Sequence, residues 1–322
     1  MDRRSNGEAR IYSYLRGDIR QRLRLVSGLV LFTFATTHFL NHAVGLFSLE
    51  AMHEVQSWRV AVTRSWPGSI VLLLALVIHA GLALHKLAFR ETLRMPWWEM
   101  LQIAIAMAIP FLLLPHIVNT RVANWVYHVD DTYSYELYRL WPDRAATQLL
   151  LLLLVWTHGC FGLHYWLRLA EGYWRVAPLL LGLAVAVPAM AIGGFVVAGR
   201  ETAEIMSDPD ALSGLKARTR WPSQEDGDAM AGQRLWAGLS FAGLLALVGV
   251  VQLVRHRGIS TTTTSRPGEI QKSGHAGAVS YVDGPTVEIR TGATLLEISR
   301  MNGIAHSALC GGGERGVPPV ES

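Results

Sequence analysis

Histidines are concentrated in the first four of six long apolar segments of this 322-residue chain. Seven of the twelve histidines lie there, whereas the fifth and sixth segments contain none. Ionisable side chains are costly at membrane depth, so each of the seven is a candidate functional residue. An imidazole nitrogen can ligate a metal, relay a proton or bond to a carbonyl oxygen of a neighbouring helix. The seven are His38, His42, His79, His85, His116, His158 and His164.

The depth of each histidine follows from counting 1.5 Å per residue along a helix. His42 lies near the outer end of the first segment, and His116 lies near the outer end of the third. His79 and His158 each lie about eleven residues, or roughly 16 Å, from the outer ends of the second and fourth segments. His42 can therefore face His116, and His79 can face His158. Two such pairs in a four-helix core are typical of two bis-histidine b-type haems, because axial imidazoles hold haem iron.

Other interpretations of these histidines stay open. His38 lies one turn before His42 on the same helical face and could replace it as a ligand. His85 and His164 match each other in depth, nearer the cytoplasm, but a rotation of about 240° from the mid-membrane histidines turns them to another face. A hydrogen bond to a helix carbonyl, a proton path and a divalent metal site are the competing roles. Metal sites in membranes usually recruit carboxylates, and the six segments contain none.

The elements that must position these residues are the six apolar segments. Each is close to the ~20 residues that a helix needs to cross a bilayer, and helices satisfy their own backbone groups in lipid. The composition is 51% hydrophobic and only 17% charged, which is poor in charge for a soluble domain. We expect an all-α membrane protein with a bundle of six transmembrane helices. The segments are Leu25–Phe47, Ser69–Phe89, Met100–Val118, Thr147–Leu167, Ala177–Ala198 and Leu235–Val254.

The arrangement of charge predicts the orientation of the bundle. Seven arginines precede the first apolar segment, and basic residues also fill the second and fourth connections. Because cytoplasmic loops are enriched in Lys and Arg, both termini are expected in the cytoplasm. The same topology explains the basic pI of about 9.2, so no nucleic-acid partner is expected. The two cysteines, Cys160 and Cys310, provide no disulfide framework.

The composition changes after the sixth segment. Gly258–Gly268 is rich in Ser, Thr and Gly and is predicted to be a polar linker. Val279–Ile289 is typical of a strand, a turn and a second strand. Thr294–Asn302 is predicted to be a short helix, followed by Gly303 as its C-cap. A short α+β segment is therefore expected at the C-terminal end.

Three motifs resemble the membrane anchor of certain bacterial class III adenylate cyclases. They are Thr37–Leu46 (THFLNHAVGL), Pro115–Arg121 (PHIVNTR) and Trp156–Trp166 (WTHGCFGLHYW). That anchor is similar to the di-haem cytochrome b subunits of succinate dehydrogenase and fumarate reductase. The resemblance implies two haems b, a multi-pass protein of the bacterial inner membrane, and a homodimer. In this family a ferredoxin module follows the anchor, and the cyclase domain comes last.

The C-terminal segment extends this resemblance. Gly292–Ile304, His306 and Cys310–Gly312 resemble the opening half of a plant-type [2Fe–2S] ferredoxin, with Cys310 at the first ligand position. Such a cluster needs four cysteines, and the other three are absent, so a [2Fe–2S] cluster is expected only in a full-length relative. We interpret 313–322 as the product of a frameshift that removed the rest of the ferredoxin and the cyclase. A natural short protein with a polar tail is the alternative.

The resemblance implies a membrane-embedded di-haem anchor that senses redox state, transfers electrons and would regulate a C-terminal adenylate cyclase. The cyclase catalytic domain is missing from this chain, so no catalytic residue is assigned. The implied partners are the lipid bilayer and a membrane quinone or another redox donor. Two alternatives are an electron-transfer subunit of a separate quinone-linked dehydrogenase and a haem-free receptor or dimerisation anchor. The implied domains are a basic N-terminus (1–24), a six-helix cytochrome-b-like domain (25–256), a linker (257–274) and a truncated ferredoxin-like domain (275–322).

Overall fold

A computed structural model shows a mostly helical protein. It describes residues 19–90, 92, 95–168, 170, 172–262, 278–280 and 286–288. A π-helical turn, Val118–Val122, joins the fourth helix to the fifth. The helices are α1 (Ile19–Val44), α2 (Leu49–Thr63), α3 (Trp66–Ala88), α4 (Trp97–Ile117), α5 (Ala123–Tyr127), α6 (Tyr133–Leu140), α7 (Ala145–Leu167), α8 (Tyr173–Ile205), α9 (Pro209–Arg218) and α10 (Gln224–Thr262).

Six helical stretches are long and apolar enough to cross a membrane. They are α1, α3, α4 continued through α5, α7, α8, and α10 as far as Arg255. The prediction of an all-α, six-span membrane protein is confirmed at this level. Several helices extend beyond the predicted apolar segments, because backbone hydrogen bonding continues after the apolar run ends. The longest extension at both ends is in α10, which spans 39 residues.

Three shorter helices lie between the spans and were not predicted. They are α2, α6 and α9, and each begins at a residue whose side chain caps the first turn. Ser48 Oγ accepts a hydrogen bond from Ala51 N at 3.0 Å, and Thr132 Oγ1 accepts one from Tyr135 N at 3.4 Å. Asp208 accepts one from Asp210 N at 3.0 Å. Such caps satisfy backbone N–H groups that have no partner within the helix.

The closest helix contact is between α1 and α8, where two glycines face each other. A Cβ atom placed on Gly194 would lie 2.0 Å from the carbonyl oxygen of His42, and one on Gly45 would lie 2.6 Å from the carbonyl oxygen of Gly194. Only a residue without a side chain permits this approach. Beside the glycines, a buried cluster joins α1, α7 and α8. Its buried members are Ala35, Phe39, Leu152, Trp156, Val187 and Ala191.

The chain divides into two compact units, made of residues 1–85 with 101–246 and of residues 86–100 with 247–322. In the second unit, the buried Gln252 side chain of α10 donates a hydrogen bond to the carbonyl oxygen of Leu87. Arg90 forms an ion pair with Glu99 at 2.9 Å. These contacts hold the connection between α3 and α4 against the C-terminal part of α10.

The second unit also contains two short strands, β1 (Ala278–Ser280) and β2 (Thr286–Glu288). They pair antiparallel, with Val279 opposite Val287, within the segment 279–289 that was predicted as strand, turn and strand. The ferredoxin-like α+β segment as a whole stays a prediction. The helix α10 continues to Thr262, which is five residues into the segment 258–268 that was predicted as a linker. The predicted helix 294–302 and Cys310 lie outside the described residues.

Candidate functional site

A large cavity lies inside the unit formed by residues 1–85 and 101–246. Its volume is about 1520 Å³, and mostly apolar side chains of α1, α3, α4 and α7 line it. Pockets for a single drug-sized ligand measure about 300–1,000 Å³, so this cavity has room for more than one such ligand. Five of the seven predicted histidines line it, namely His38, His42, His79, His116 and His158.

Two of these histidines face each other across the cavity, His79 from α3 and His158 from α7. Their ring centroids lie 6.2 Å apart, and the ring planes are at 84°. His79 Nδ1 lies 3.1 Å from the carbonyl oxygen of Arg24. A carbonyl oxygen only accepts, so Nδ1 carries the proton and Nε2 keeps its lone pair. The backbone of His158 is held as well, because Gln102 Nε2 donates to its carbonyl oxygen at 3.1 Å.

The other three histidines form a second group, which we call the three-histidine cluster (His38, His42 and His116). The ring centroids of His38 and His116 lie 6.1 Å apart, and those of His38 and His42 lie 4.6 Å apart. His116 Nδ1 lies 3.2 Å from Gln148 Oε1, which again leaves Nε2 with the lone pair. The ring of His42 also contacts Tyr133, at a centroid distance of 5.5 Å.

These distances suit one metal ion between each pair of rings. A bond between a metal ion and an imidazole nitrogen is about 2 Å long, so two rings on opposite sides of one ion have centroids roughly 6 Å apart. His79 and His158 meet this distance, and so do His38 and His116. The predicted partner of His116 was His42, with His38 as the alternative. The assignment of axial ligands stays a prediction.

Buried ring nitrogens are a second sign that these histidines face a ligand. The Nδ1 atoms of His38, His42 and His158 are buried and have no hydrogen-bond partner among the described residues. A buried polar atom without a partner costs free energy, and native structures contain few of them. A ligand that bonds to one of these nitrogens would supply the missing partner.

Glycines shape the wall of the cavity next to the histidines. Gly28 lets the ring of His79 approach α1, since a Cβ there would lie 2.9 Å from His79 Cε1. Gly162, one turn after His158, faces open space, with no atom within 4 Å of a Cβ built on it. Because Gly162 lines the cavity, this space is available to a flat ligand beside His158.

Polar and charged side chains from α2 and α6 close one end of the cavity, which we call the polar end. Arg64 Nη1 binds Asp131 Oδ1 at 2.8 Å, and a second bond makes the pair bidentate. Gln56 Nε2 donates to the backbone oxygen of Asp131 at 3.2 Å. Arg59, Tyr133 and Glu136 complete the lining. The sequence analysis did not find this group, although the N-caps at Ser48 and Thr132 mark its helices.

Burial changes the ionisation of several groups at the polar end. It lowers the pKa of Arg59 and raises the pKa of Tyr133. Burial, followed by the charge of Asp131, raises the pKa of Glu136 to about 8, although Arg139 and Arg64 oppose this shift. The Oε1 atom of Glu136 is buried and finds no hydrogen-bond partner within the described part of the chain. Glu136 is therefore mostly protonated at neutral pH.

The stability of the protein is expected to fall as the pH rises from about 4.5 to 8. In this range Glu136 of the unfolded chain loses its proton, whereas Glu136 of the folded chain keeps it, so alkaline conditions favour unfolding. The effect is on the order of a few kcal/mol at most. Glu136→Gln, which is neutral at every pH, should flatten the dependence. Thermal unfolding in detergent between pH 5 and 8.5 measures it.

The exposed residue Glu204 of α8 provides the control for this measurement. Glu204→Gln should leave the pH dependence as it is in the unsubstituted protein. If the curves of stability against pH were parallel for the unsubstituted protein and Glu136→Gln, the raised pKa of Glu136 would be contradicted.

The remaining predicted ligands lie elsewhere. His85 is exposed, and His164 Nδ1 bonds to Tyr173 Oη at 2.6 Å; neither lines the cavity. Within the described ranges, no group of three or more His, Cys, Asp or Glu side chains could hold a metal ion. Haem iron needs only two axial side chains from the protein. The absence of a group of three or more ligands in this part of the chain therefore bears on other metal centres and not on haem. Cys310, the predicted remnant ligand of a [2Fe–2S] cluster, is outside the described residues.

Comparisons of the chain with protein-family models, with curated proteins and with solved structures find no match. The function is therefore inferred from the residues of the chain itself. The feature on which this inference rests is the histidine-lined cavity in a multi-pass helical bundle.

Proposed function

We propose that this chain is a membrane-embedded di-haem electron-transfer protein. One haem b would be held by His79 and His158, and a second would be held by His116 and one of the other two members of the three-histidine cluster, His38 or His42. The observation that supports this most strongly is the occurrence of two imidazole pairs at 6.2 and 6.1 Å in one apolar cavity. Both distances agree with two rings on a single iron.

The hydrogen bonds of the histidines support the same proposal. In metal sites a ligating histidine donates its other ring N–H to a carbonyl or carboxylate oxygen, which fixes the tautomer and the ring orientation. His79 does so with Arg24, and His116 does so with Gln148. Each of the two proposed pairs therefore contains one histidine whose Nε2 is prepared to bind iron.

The distance of 6.1 Å favours His38 over His42 as the partner of His116. His42 lies next to His38 and packs its ring against Tyr133 and Phe195. In this arrangement His38 would hold the iron, and His42 would pack against Tyr133 and Phe195 as it does in the structure.

Each haem, when bound, supplies a one-electron couple to the protein. The apolar walls exclude water, and the histidine ligands set the electronic environment of the iron. We propose that this couple exchanges electrons with a membrane quinone or another donor. In the family that the sequence resembles, the redox state would regulate a C-terminal adenylate cyclase in a homodimer. The protein would lie in the bacterial inner membrane with both termini in the cytoplasm.

A dithionite-reduced minus oxidised absorption spectrum of the purified protein tests the proposal. We expect a split b-type signal and close to two haems per chain, because two pairs of axial histidines are available. Co-purification of a flavoprotein would instead favour a subunit of a separate dehydrogenase. A haem-free protein after expression with adequate haem would contradict the proposal and leave a receptor or dimerisation anchor.

The same spectrum, recorded for a matched pair of variants, tests whether a haem occupies the cavity beside His158. Gly162→Leu places a side chain into the open space beside His158, so it should reduce the haem content by about one per chain. Gly81→Leu is the control, because Gly81 is equally exposed and has no atom within 4 Å of a built Cβ but does not line the cavity. Equal haem content in both variants would argue against a haem at this position.

A further inference from the structure

Arg59 is a cation in the wall of the cavity without an acidic partner. Its Nε atom lies 3.4 Å from Asn41 Oδ1, a neutral acceptor, and the neutral Tyr133 side chain also interacts with the guanidinium. Its Cζ atom lies 5.8 Å from the centroid of the Phe34 ring. None of the ion pairs recorded among the described residues includes Arg59. Arg59 is half-buried, and a charge that is partly removed from water is normally paired, because desolvation without a counter-charge costs free energy. The arrangement predicts that a negative group is missing from this place.

The acidic side chains near Arg59 cannot supply that negative group. Asp131 attracts Arg59 electrostatically, but both of its carboxylate oxygens are already bound by the terminal nitrogens of Arg64. Glu136 is mostly protonated at neutral pH, since its pKa is raised to about 8. Of the two carboxyl groups at the polar end, Asp131 is thus bound to Arg64, and Glu136 carries little negative charge that could neutralise Arg59 at neutral pH.

The guanidinium of Arg59 is held in place by the fold. Asn41 is completely buried, and its Nδ2 atom donates to the backbone oxygen of Met52 at 2.9 Å. This bond orients Asn41 Oδ1 toward Arg59 and links α1 to α2. A prearranged cation loses less conformational entropy when it binds a ligand. Asn41 is thus a positioning residue for Arg59.

Arg59 is also close to the three-histidine cluster. It interacts electrostatically with His38, His42 and His116, and it lines the same cavity as they do. A ligand that occupies the cavity at these histidines therefore comes within reach of the Arg59 charge. Guanidinium groups bind carboxylates with two parallel hydrogen bonds, which makes a carboxylate the best-suited anionic group.

We propose that Arg59 binds a propionate carboxylate of the haem held by the three-histidine cluster. This inference rests on the proposed function. Arg59 would neutralise the carboxylate inside the cavity and, as a nearby positive charge, would raise the midpoint potential of that haem. The second haem, between His79 and His158, would keep its potential when Arg59 is changed.

Redox titration of the two haems, combined with esterification of the propionates, tests this assignment. We compare the unsubstituted protein, Arg59→Gln and Arg59→Lys, each reconstituted with haem or with haem dimethyl ester. With haem, Arg59→Gln should lower the reduction equilibrium constant of one haem about tenfold, which is 59 mV for one electron. Arg59→Lys should show a smaller change, because it keeps the charge but loses the bidentate geometry.

The ester removes the carboxylate charge and so completes a double-mutant cycle. With the ester, Arg59→Gln should shift the potential less than with haem, because the partner of Arg59 is gone. Arg139→Gln is the control, since Arg139 is an exposed cation of α6 outside the cavity lining, and it should shift neither potential by a comparable amount.

Three outcomes would overturn the inference. Two haems with unchanged potentials in Arg59→Gln would refute the role of Arg59 and leave the proposed function intact. An equal shift with haem and with its ester would show that Arg59 acts without contact to a carboxylate. Absence of haem from the unsubstituted protein would refute the proposed function together with this inference. If Arg59→Gln does not fold, Arg59→Lys takes its place. The midpoint potentials of Arg59→Lys and of the unsubstituted protein, each measured with haem and with haem dimethyl ester, then decide the question in the same way.

Discussion

His158→Ala is expected to yield a protein with one haem per chain instead of two. His158 and His79 are the two axial candidates at mid-depth, and their ring centroids are 6.2 Å apart. Loss of one imidazole removes half of the protein ligation of that iron. The other haem should stay, because its ligands belong to the three-histidine cluster. His116→Ala should remove that other haem and leave the first. Haem quantification per chain measures both results.

Matched histidine variants make this experiment specific. His85→Ala and His164→Ala remove histidines from the same two helices, α3 and α7, but outside the cavity lining, so both proteins should retain two haems. Two haems in His158→Ala would contradict the assignment of the mid-depth pair.

The same series decides between the two candidate partners of His116. His38→Ala should lose one haem, whereas His42→Ala should keep both, since His38 is the ring at 6.1 Å from His116. The reverse result would make His42 the ligand and would restore the first choice made from the sequence.

Gly194→Leu is expected to destabilise the fold by more than about 3 kcal/mol, which is beyond the usual cost of overpacking. A Cβ atom at Gly194 would lie 2.0 Å from the backbone oxygen of His42, and a backbone atom cannot move aside as a side chain can. The helices α1 and α8 would have to separate. Thermal unfolding in detergent and the yield of folded protein measure the effect.

Gly182→Leu on the same helix is the control, because no atom lies within 4 Å of a Cβ built on Gly182. We expect a change within about 0.5 kcal/mol for this variant. A Gly194→Leu protein as stable as the control would mean that α1 and α8 do not approach as closely as described.

The spans and their depth could be predicted from the sequence because lipid imposes simple requirements. A helix that crosses the membrane must be apolar over a known length, and each residue advances by a fixed rise. Counting residues therefore placed His79 and His158 at the same depth, and in the structure the centroids of their rings lie 6.2 Å apart. The same counting could not separate His38 from His42, which share one helical face.

Which ring His116 faces could not be predicted, for a further reason. Pro110 and Pro115 lie inside α4, and a proline within a helix removes a hydrogen bond and bends the axis. A π-helical turn then begins at Val118. Such departures from regular geometry change where a ring near the helix end points, so counting residues is insufficient there.

The polar end of the cavity was missed because its residues come from short helices between the spans. Arg59 and Asn41 are 18 residues apart in the sequence and meet only when α2 folds back on α1. Asp131 and Arg64 are 67 residues apart. The capping residues Ser48 and Thr132 predict helix starts, but no pattern in the sequence indicates which side chains these helices direct into the cavity.

The π-helical turn Val118–Val122 is equivalent to the insertion of one residue into a continuous helix. Such an insertion rotates everything that follows by about 100° relative to a regular helix. Within the turn, Asn119 Oδ1 accepts a hydrogen bond from Arg234 Nη1, and after it Tyr127 Oη accepts one from Gln233 Nε2, both at 2.8 Å. A gene copy lacking one codon here would encode a helix of unbroken register, with the side chains after His116 turned away from their partners on α10.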